Sequence, residues 1–388
     1  MSRLVSFASG WTPSREDARF WNGDVPWLTA KDLKKFRLDD SIEKITREGA
    51  NNGTRLIEAG SVLILVRGMT LLKDVPVGVT ERAVAFNQDL KALIPNREID
   101  GHYLGFYLAA NKFRLLTLVD RASHGVGRLP SDLLQSFEIE LPGIEEQRKI
   151  ADILLTWDRA VERADMRVAA ESRLKRGLLE RLLTGRKRLD DFHCHEWESV
   201  RLGDVIIESK LRCGGAHSEN AIYIGAKAEG MVPMRKRIRG DSVGRCKVVK
   251  KGWFIYDPMR LNAGLIAKWA GAGAALASPD YTVFKCDESR LDPEFLNQFR
   301  LSHQWTQFVE GAGTGSVRVR VSFSDLAALK FALPPLEEQR RIAAILNACD
   351  RELDLLRRRL TALKRQKQGL MQKLLTGQIR VRVENVET

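Results

Sequence analysis

Apolar residues recur at spacings of three and four along two stretches of this chain. In one stretch the series is Leu346, Cys349, Leu353, Leu356, Leu360, Leu363, Lys367, Leu370 and Leu374. In the other, Leu154, Trp157, Val161, Ala164, Val168, Glu171, Lys175, Leu178 and Leu182 hold the same phases. Such spacing puts one apolar face along a helix and predicts a heptad seam. Lys175 and Lys367 interrupt it at one shared phase, where a register-setting polar residue is expected. Both stretches carry matching boundaries. Leu141-Pro142 and Leu333-Pro334 precede Glu145-Glu146 and Glu337-Glu338, a proline and acidic first turn that suit a helix N-terminus. Arg181 and Lys373 fall in the last turn, and Gly185 and Gly377 at the likely stop. Each helix is then about 60 Å long at ~1.5 Å per residue.

The two stretches are copies. Residues 141–185 align without a gap to residues 333–377, 192 positions later, with 22 of 45 positions identical. An internal repeat of this kind governs the architecture: two similar halves, each a variable block followed by a shared helix. The helices are expected to pair with each other. Gly177 and Gly369, at equivalent interior sites, predict a close backbone approach.

The blocks, residues 1–140 and 197–332, share a plan with little identity. Trp27-Leu28-Thr29-Ala30-Lys31 matches Tyr223-Ile224-Gly225-Ala226-Lys227, a short strand running into a polar loop. Gly60 leads the apolar run Ser61 to Ile64 as Gly252 leads Trp253 to Ile255, a turn and then a buried strand. Residues 102–117 and 293–309 read as helices, each ahead of a glycine-containing loop. The fold class is therefore α+β: two globular domains, 1–140 and 197–332, with long helices at 141–185 and 333–377. A linker covers 186–196 and a tail 378–388. The second block opens with Trp197 to Asp204 before its glycines, whereas the first has nine residues before Gly10. The first domain is thus expected to lack an initial strand, to take one from the tail after Gly377, or to begin at a misassigned start.

Composition narrows the function. The net charge of +13 suits a polyanionic partner, since each phosphate neutralised releases counterions. Five dispersed cysteines without a CxxC pair indicate reduced thiols. With no apolar signal core or bilayer-length apolar run, the expected setting is cytoplasmic. Basic residues gather at Arg235-Lys236-Arg237-Ile238-Arg239 and from Arg245 to Lys251. Phosphate contacts position a protein on a duplex, and arginine, asparagine and glutamine match base edges. Candidate DNA contacts in the first block are Thr12, Ser14, Arg15, Thr29, Lys31, Arg67, Asn87, Gln88, His124 and Arg128. In the second they are Lys227, Arg235, Lys236, Arg237, Arg260, Asn262, Ser316, Arg318 and Arg320.

Catalytic motifs do not emerge. There is no GxxxxGK[ST] phosphate loop. Asp257-Pro258-Met259-Arg260 lacks the second proline and the aromatic of an amino-methyltransferase motif. Gly271 to Leu276 misses a dinucleotide fingerprint, and Pro279-Asp280 lacks the acidic-x-Lys triplet of a nuclease. His193-Cys194-His195 has no fourth ligand nearby. No metal site and no cofactor on this chain are expected.

Leu-Pro-x-x-Glu-Glu-Gln-Arg-x-Ile-Ala occurs twice, each copy closing on Leu-Leu-Thr-Gly. With Thr12-Pro13-Ser14, Gly23 to Trp27, Trp197 and Leu202-Gly203-Asp204, the chain resembles the DNA-specificity subunits of type I restriction-modification systems over essentially its whole length. The resemblance implies two target recognition domains, each reading half of a bipartite double-stranded DNA site. It implies an antiparallel coiled coil that sets the distance between half-sites. It further implies docking of two methyltransferase subunits, which carry S-adenosylmethionine for adenine-N6 methylation. A motor-nuclease subunit would join them for restriction, using ATP and Mg. The chain itself would be non-catalytic. The alternatives are a degenerate scaffold without DNA readout and a self-contained enzyme, which the absent motifs disfavour.

Overall fold

The computed structural model describes residues 1–52, 54–121, 125–214, 222–227, 230–233, 244–312 and 320–382. The chain forms two compact units. Unit 1 holds residues 1–165 and 359–388, unit 2 residues 166–358. Each therefore contains part of both long helices.

In unit 1 the run from Ser61 supplies a strand, Val62–Leu65, buried at all four positions. Burial on both faces makes it the centre of a five-stranded sheet. The order is Val5–Ser9, Leu90–Pro95, Val62–Leu65, Val77–Thr80 and Arg37–Leu38. The helix Gly101–Ala110 lies on this sheet, close enough that a Cβ at Gly105 would fall 2.4 Å from Val79. Unit 2 repeats the design with a sheet ordered Ile206–Glu208, Thr282–Cys286, Phe254–Tyr256 and Ile266–Lys268. It adds a strand pair, Glu198–Arg201 with Lys330–Leu333.

The helices expected at 102–117 and 293–309 are each divided in two. The first is Gly101–Ala110 and Lys112–Leu116, the second Pro293–Phe299 and His303–Gly311. The second break has a clear local cause: the Ser302 hydroxyl caps a new helix by accepting from the Trp305 amide. Asp100 and Asp292 cap the preceding helices in the same way.

The long helices are Ile144–Leu183 and Leu336–Leu375. They pack together, and their ion pairs run antiparallel within each unit. In unit 1 Lys367 donates to Asp158. In unit 2 Lys175 donates to Asp350 at 2.5 Å. These are one contact repeated at the 192-residue offset. Of the seam residues, Leu154, Leu182, Leu346, Leu353, Leu360 and Leu374 are buried. Trp157, Val161, Leu178, Leu356, Leu363 and Leu370 are half-buried. The close approach expected at Gly177 and Gly369 is not found: a Cβ at either would meet nothing within 4 Å. Both glycines face outward.

The junction of each long helix with its unit is also duplicated. The Asp100 amide donates to the Gln147 side chain, whose amide returns to the Glu98 and Pro142 carbonyls. The Asp292 amide donates to Gln339, which returns to the Arg290 and Pro334 carbonyls. Gln147 and Gln339 are both fully buried, so these hydrogen bonds satisfy side chains that would otherwise be costly.

Candidate nucleic-acid interface

Unit 1 contains a cleft of about 460 Å3 lined by Arg67, Gln88, Lys91, Arg128 and Ser131, with glycine and apolar residues between them. Its floor follows from local sequence. Beyond the buried strand, Arg67–Gly68 pairs antiparallel with Gly127–Arg128, placing Arg67 directly opposite Arg128. A Cβ at Gly127 would sit 2.7 Å from Leu71, so only glycine fits that crossing. The Leu129 amide donates to the Val66 carbonyl at 2.9 Å and ties the segment down. Arg67, Gln88 and Arg128 are exposed. Among the described lining residues are three cations, Arg67, Lys91 and Arg128, and no carboxylate, while Asp120 pairs opposite Arg128 on the neighbouring strand. That surface suits a phosphate backbone, with a glutamine and two arginines able to address base edges.

The loop at one side of the cleft is held by aromatic residues. The Trp21 and Trp27 indoles donate to the Ser14 and Trp11 carbonyls. The Arg15 guanidinium lies 3.9 Å over the Trp21 ring and forks onto Glu43. That hydrogen bond holds the Glu43 carboxyl below its ordinary range. The loop is thereby fixed with the Thr12 hydroxyl donating to Gln88 at 2.7 Å.

The expected contacts sort themselves on this frame. Thr12, Arg67, Gln88 and Arg128 come together at the cleft. Ser14 and Arg15 are engaged in holding the loop. Asn87 was expected to face a base; it is 7% exposed, and its amide is used by Asp89, so it shapes the turn into the Leu90–Pro95 strand. The Thr29 hydroxyl donates to Asp32, and Lys31 is exposed beside it. Lys91 and Ser131 were not anticipated. The signal available was one lysine inside the otherwise apolar run from Leu90 to Ile94.

Unit 2 repeats one hydrogen bond of the cleft's frame. The Val321 amide donates to the Pro258 carbonyl at 2.9 Å, the counterpart of Leu129 and Val66. This places Arg320 at the position of Arg128, with Arg260 at the end of the opposing segment. Arg320, Arg260, Asn262 and Lys227 are all exposed. The Arg260 guanidinium lies 4.0 Å from Asp257. His124, Arg235, Lys236, Arg237, Ser316 and Arg318 lie outside the described residues.

Comparison with known proteins agrees with this duplicated design. A family model for the type I restriction modification DNA specificity domain matches residues 4–166 and again 262–365. An Escherichia coli type I restriction enzyme specificity subunit is 34% identical over 160 residues, covering 41% of this chain and 40% of that protein. A Methanocaldococcus jannaschii specificity subunit is 22% identical across 96% of this chain and 91% of its own length. The fold is shared with the S subunit of M. genitalium, at a TM-score of 0.61 and 13% identity, covering 96% of this chain and 94% of that one. The chain belongs to the type I restriction-modification DNA specificity family.

Proposed function

We propose that each unit reads one half of a bipartite, asymmetric site on double-stranded DNA, and that the paired long helices fix the distance between the halves. The observation that carries this reading is the repetition, at one offset, of one backbone hydrogen bond with an exposed arginine beside it: Val66–Leu129 with Arg128, and Pro258–Val321 with Arg320. A single site-reading module would need one such arrangement. Two, on copies of one scaffold, fit two half-sites separated by a constant spacer. A helix of about 60 Å approaches two turns of B-DNA at ~34 Å each.

In the same reading the long helices dock two methyltransferase subunits, which bring S-adenosylmethionine and perform the adenine-N6 chemistry. A motor-nuclease subunit would supply ATP- and Mg-dependent restriction. This chain contributes recognition and no reacting group, and works in the cytoplasm. No described helix is long and apolar enough to cross a membrane.

The test is a map of modified adenines in DNA from cells carrying this chain with its cognate methyltransferase subunit, against cells without the chain. A bipartite motif with a fixed spacer, present only with the chain, is expected. A chain-independent pattern, with the methyltransferase active alongside another specificity subunit, would assign this chain a scaffold role instead.

A further inference from the structure

The two units keep one register up to the floor of the cleft and then place different chemistry there. Gly60 and Gly252 hold nearly equal left-handed φ angles, +80° and +82°. Each leads into a buried strand, Val62–Leu65 in unit 1 and Phe254–Tyr256 in unit 2. The same count past these glycines brings Arg67 and Met259. The register is fixed from the other side as well. The Val66 carbonyl accepts from the Leu129 amide, and the Pro258 carbonyl from the Val321 amide, both at 2.9 Å. Arg67 pairs directly opposite Arg128. Counted from the matching hydrogen bond, Met259 stands opposite Arg320.

Both residues are exposed, Met259 by 41%. What each can offer a base differs. A guanidinium donates two hydrogen bonds side by side and matches O6 and N7 of guanine in the major groove. A methionine side chain has no donor; its unbranched chain and polarisable sulfur suit contact with an apolar group. On the major-groove edge of DNA that group is the thymine 5-methyl.

The neighbouring residues sharpen the contrast. Gly68 follows Arg67 and adds no side chain. Arg260 follows Met259, one residue beyond the floor, with its guanidinium 4.0 Å from Asp257. Asn262 is exposed on the next turn, Leu261–Ala263. Its amide carries the adjacent donor and acceptor that match adenine. The apolar contact and the amide in unit 2 therefore both favour an A·T pair.

We propose that Arg67 and Met259 are equivalent specificity determinants with different targets. Arg67 selects a guanine in the half-site of unit 1. Met259 selects a thymine, through its methyl group, in the half-site of unit 2. The halves of the target differ at equivalent places because the scaffold is duplicated and this side chain is not. The inference rests on the reading that each unit recognises one half-site, and adds the base that each takes at this position.

The test uses the complex of the full chain with its cognate methyltransferase subunits, and duplexes carrying the mapped motif with single bases altered by one group. The half-site of unit 2 is the one that Arg320→Ala alters. Replacing its thymines singly by deoxyuridine removes only the 5-methyl. One such replacement should weaken binding about fourfold, as expected for one buried methyl-sized group. Met259→Ala should lose this sensitivity, and Met259→Leu, which keeps an apolar contact, should retain it. In the half-site of unit 1, replacing one guanine by 7-deazaguanine should weaken binding about tenfold, and should have no such effect on Arg67→Ala. A unit 2 half-site without thymine on either strand would overturn the proposal. So would the absence of either effect in the parent complex, or its persistence in the corresponding alanine variant. In those cases the bipartite motif itself still stands. A motif that is not bipartite would instead remove the half-site reading, and this assignment with it.

Discussion

Unit 1 and unit 2 carry the same contacts at the same offset, yet surround them differently. Asp350 of unit 2 gives one oxygen to Lys175 and the other to the Gln298 amide, and its side chain is 46% exposed. Asp158 of unit 1 is 14% exposed, and its second oxygen is buried with no hydrogen-bond partner among the described residues. The position matching Gln298 is there Phe106, whose ring lies 5.3 Å from the Lys367 ammonium. One unit thus satisfies its helix-pairing carboxylate with polar neighbours and water. The other buries it beside a lysine whose ammonium lies near the Phe36 and Phe106 rings. The repeat preserves the ion pair but leaves its surroundings free to change, so equivalent residues need not have equivalent energetics.

The largest contrast is expected at the helix starts. Arg188→Ala leaves Glu338, which is fully buried, with the indole but no cation, and should cost about 4 kcal/mol in the unfolding of unit 2. Arg380→Ala should cost unit 1 less, because its guanidinium is exposed and Glu146 retains the Val381 amide. Urea titrations monitored by hydrogen exchange in each unit would separate the two. Equal losses would remove the distinction.

Unit 1 also has a pH signature. The Arg380 hydrogen bond holds the Glu146 carboxyl below its ordinary range. A carboxyl that titrates lower when folded than unfolded stabilises at pH above its unfolded value, and the gain disappears as the pH falls through the folded value. Unit 1 should therefore lose stability below about pH 4.3, the usual glutamate value. Arg380→Ala should flatten that slope in a pH series of thermal melts.

At the helix seam, Lys367→Ala should cost about 3 kcal/mol, because it isolates a buried carboxylate. Lys175→Ala should cost about 1 kcal/mol, since Asp350 keeps Gln298 and partial exposure. Combining Asp158→Leu with Lys367→Leu should return stability to within about 1 kcal/mol of the parent. Chemical denaturation of the three variants checks the order. A double variant as unstable as Lys367→Ala would show that the pair supplies net stability.

The smallest effects belong to the outward glycines. Gly177→Ala and Gly369→Ala should each stabilise by about 1 kcal/mol, because the new methyl group meets nothing and the helix gains propensity. A loss in melting temperature for either would restore the close approach that the sequence suggested.

What could be read from the sequence follows the range over which its signals act. The seam phase from Leu346 to Leu374 depends on neighbours three and four residues apart, and was legible. So was the shared phase of Lys175 and Lys367. Their partners were not, although Asp158 and Asp350 are identical in the repeat, because the contacts span 209 and 175 residues. The apolar continuity of 293–309 concealed a break that depends on the Ser302 cap. At the cleft, residue type identified Arg67, Gln88 and Arg128 as suitable chemistry. It could not distinguish them from Arg15, which is held by Glu43 and two indoles, or from Asn87, which is folded inward onto Asp89. Orientation, which decides between those outcomes, is set by the loop and sheet.

The central claim is that each unit reads one half-site, and adenine-methylation mapping of two variants in the otherwise intact system tests it most directly. Arg128→Ala should relax or weaken recognition in one half of the bipartite motif and leave the other half and the spacer intact. Arg320→Ala should do the same to the opposite half. A shared effect of both variants on one half, or on both halves together, would contradict the division of recognition between the units.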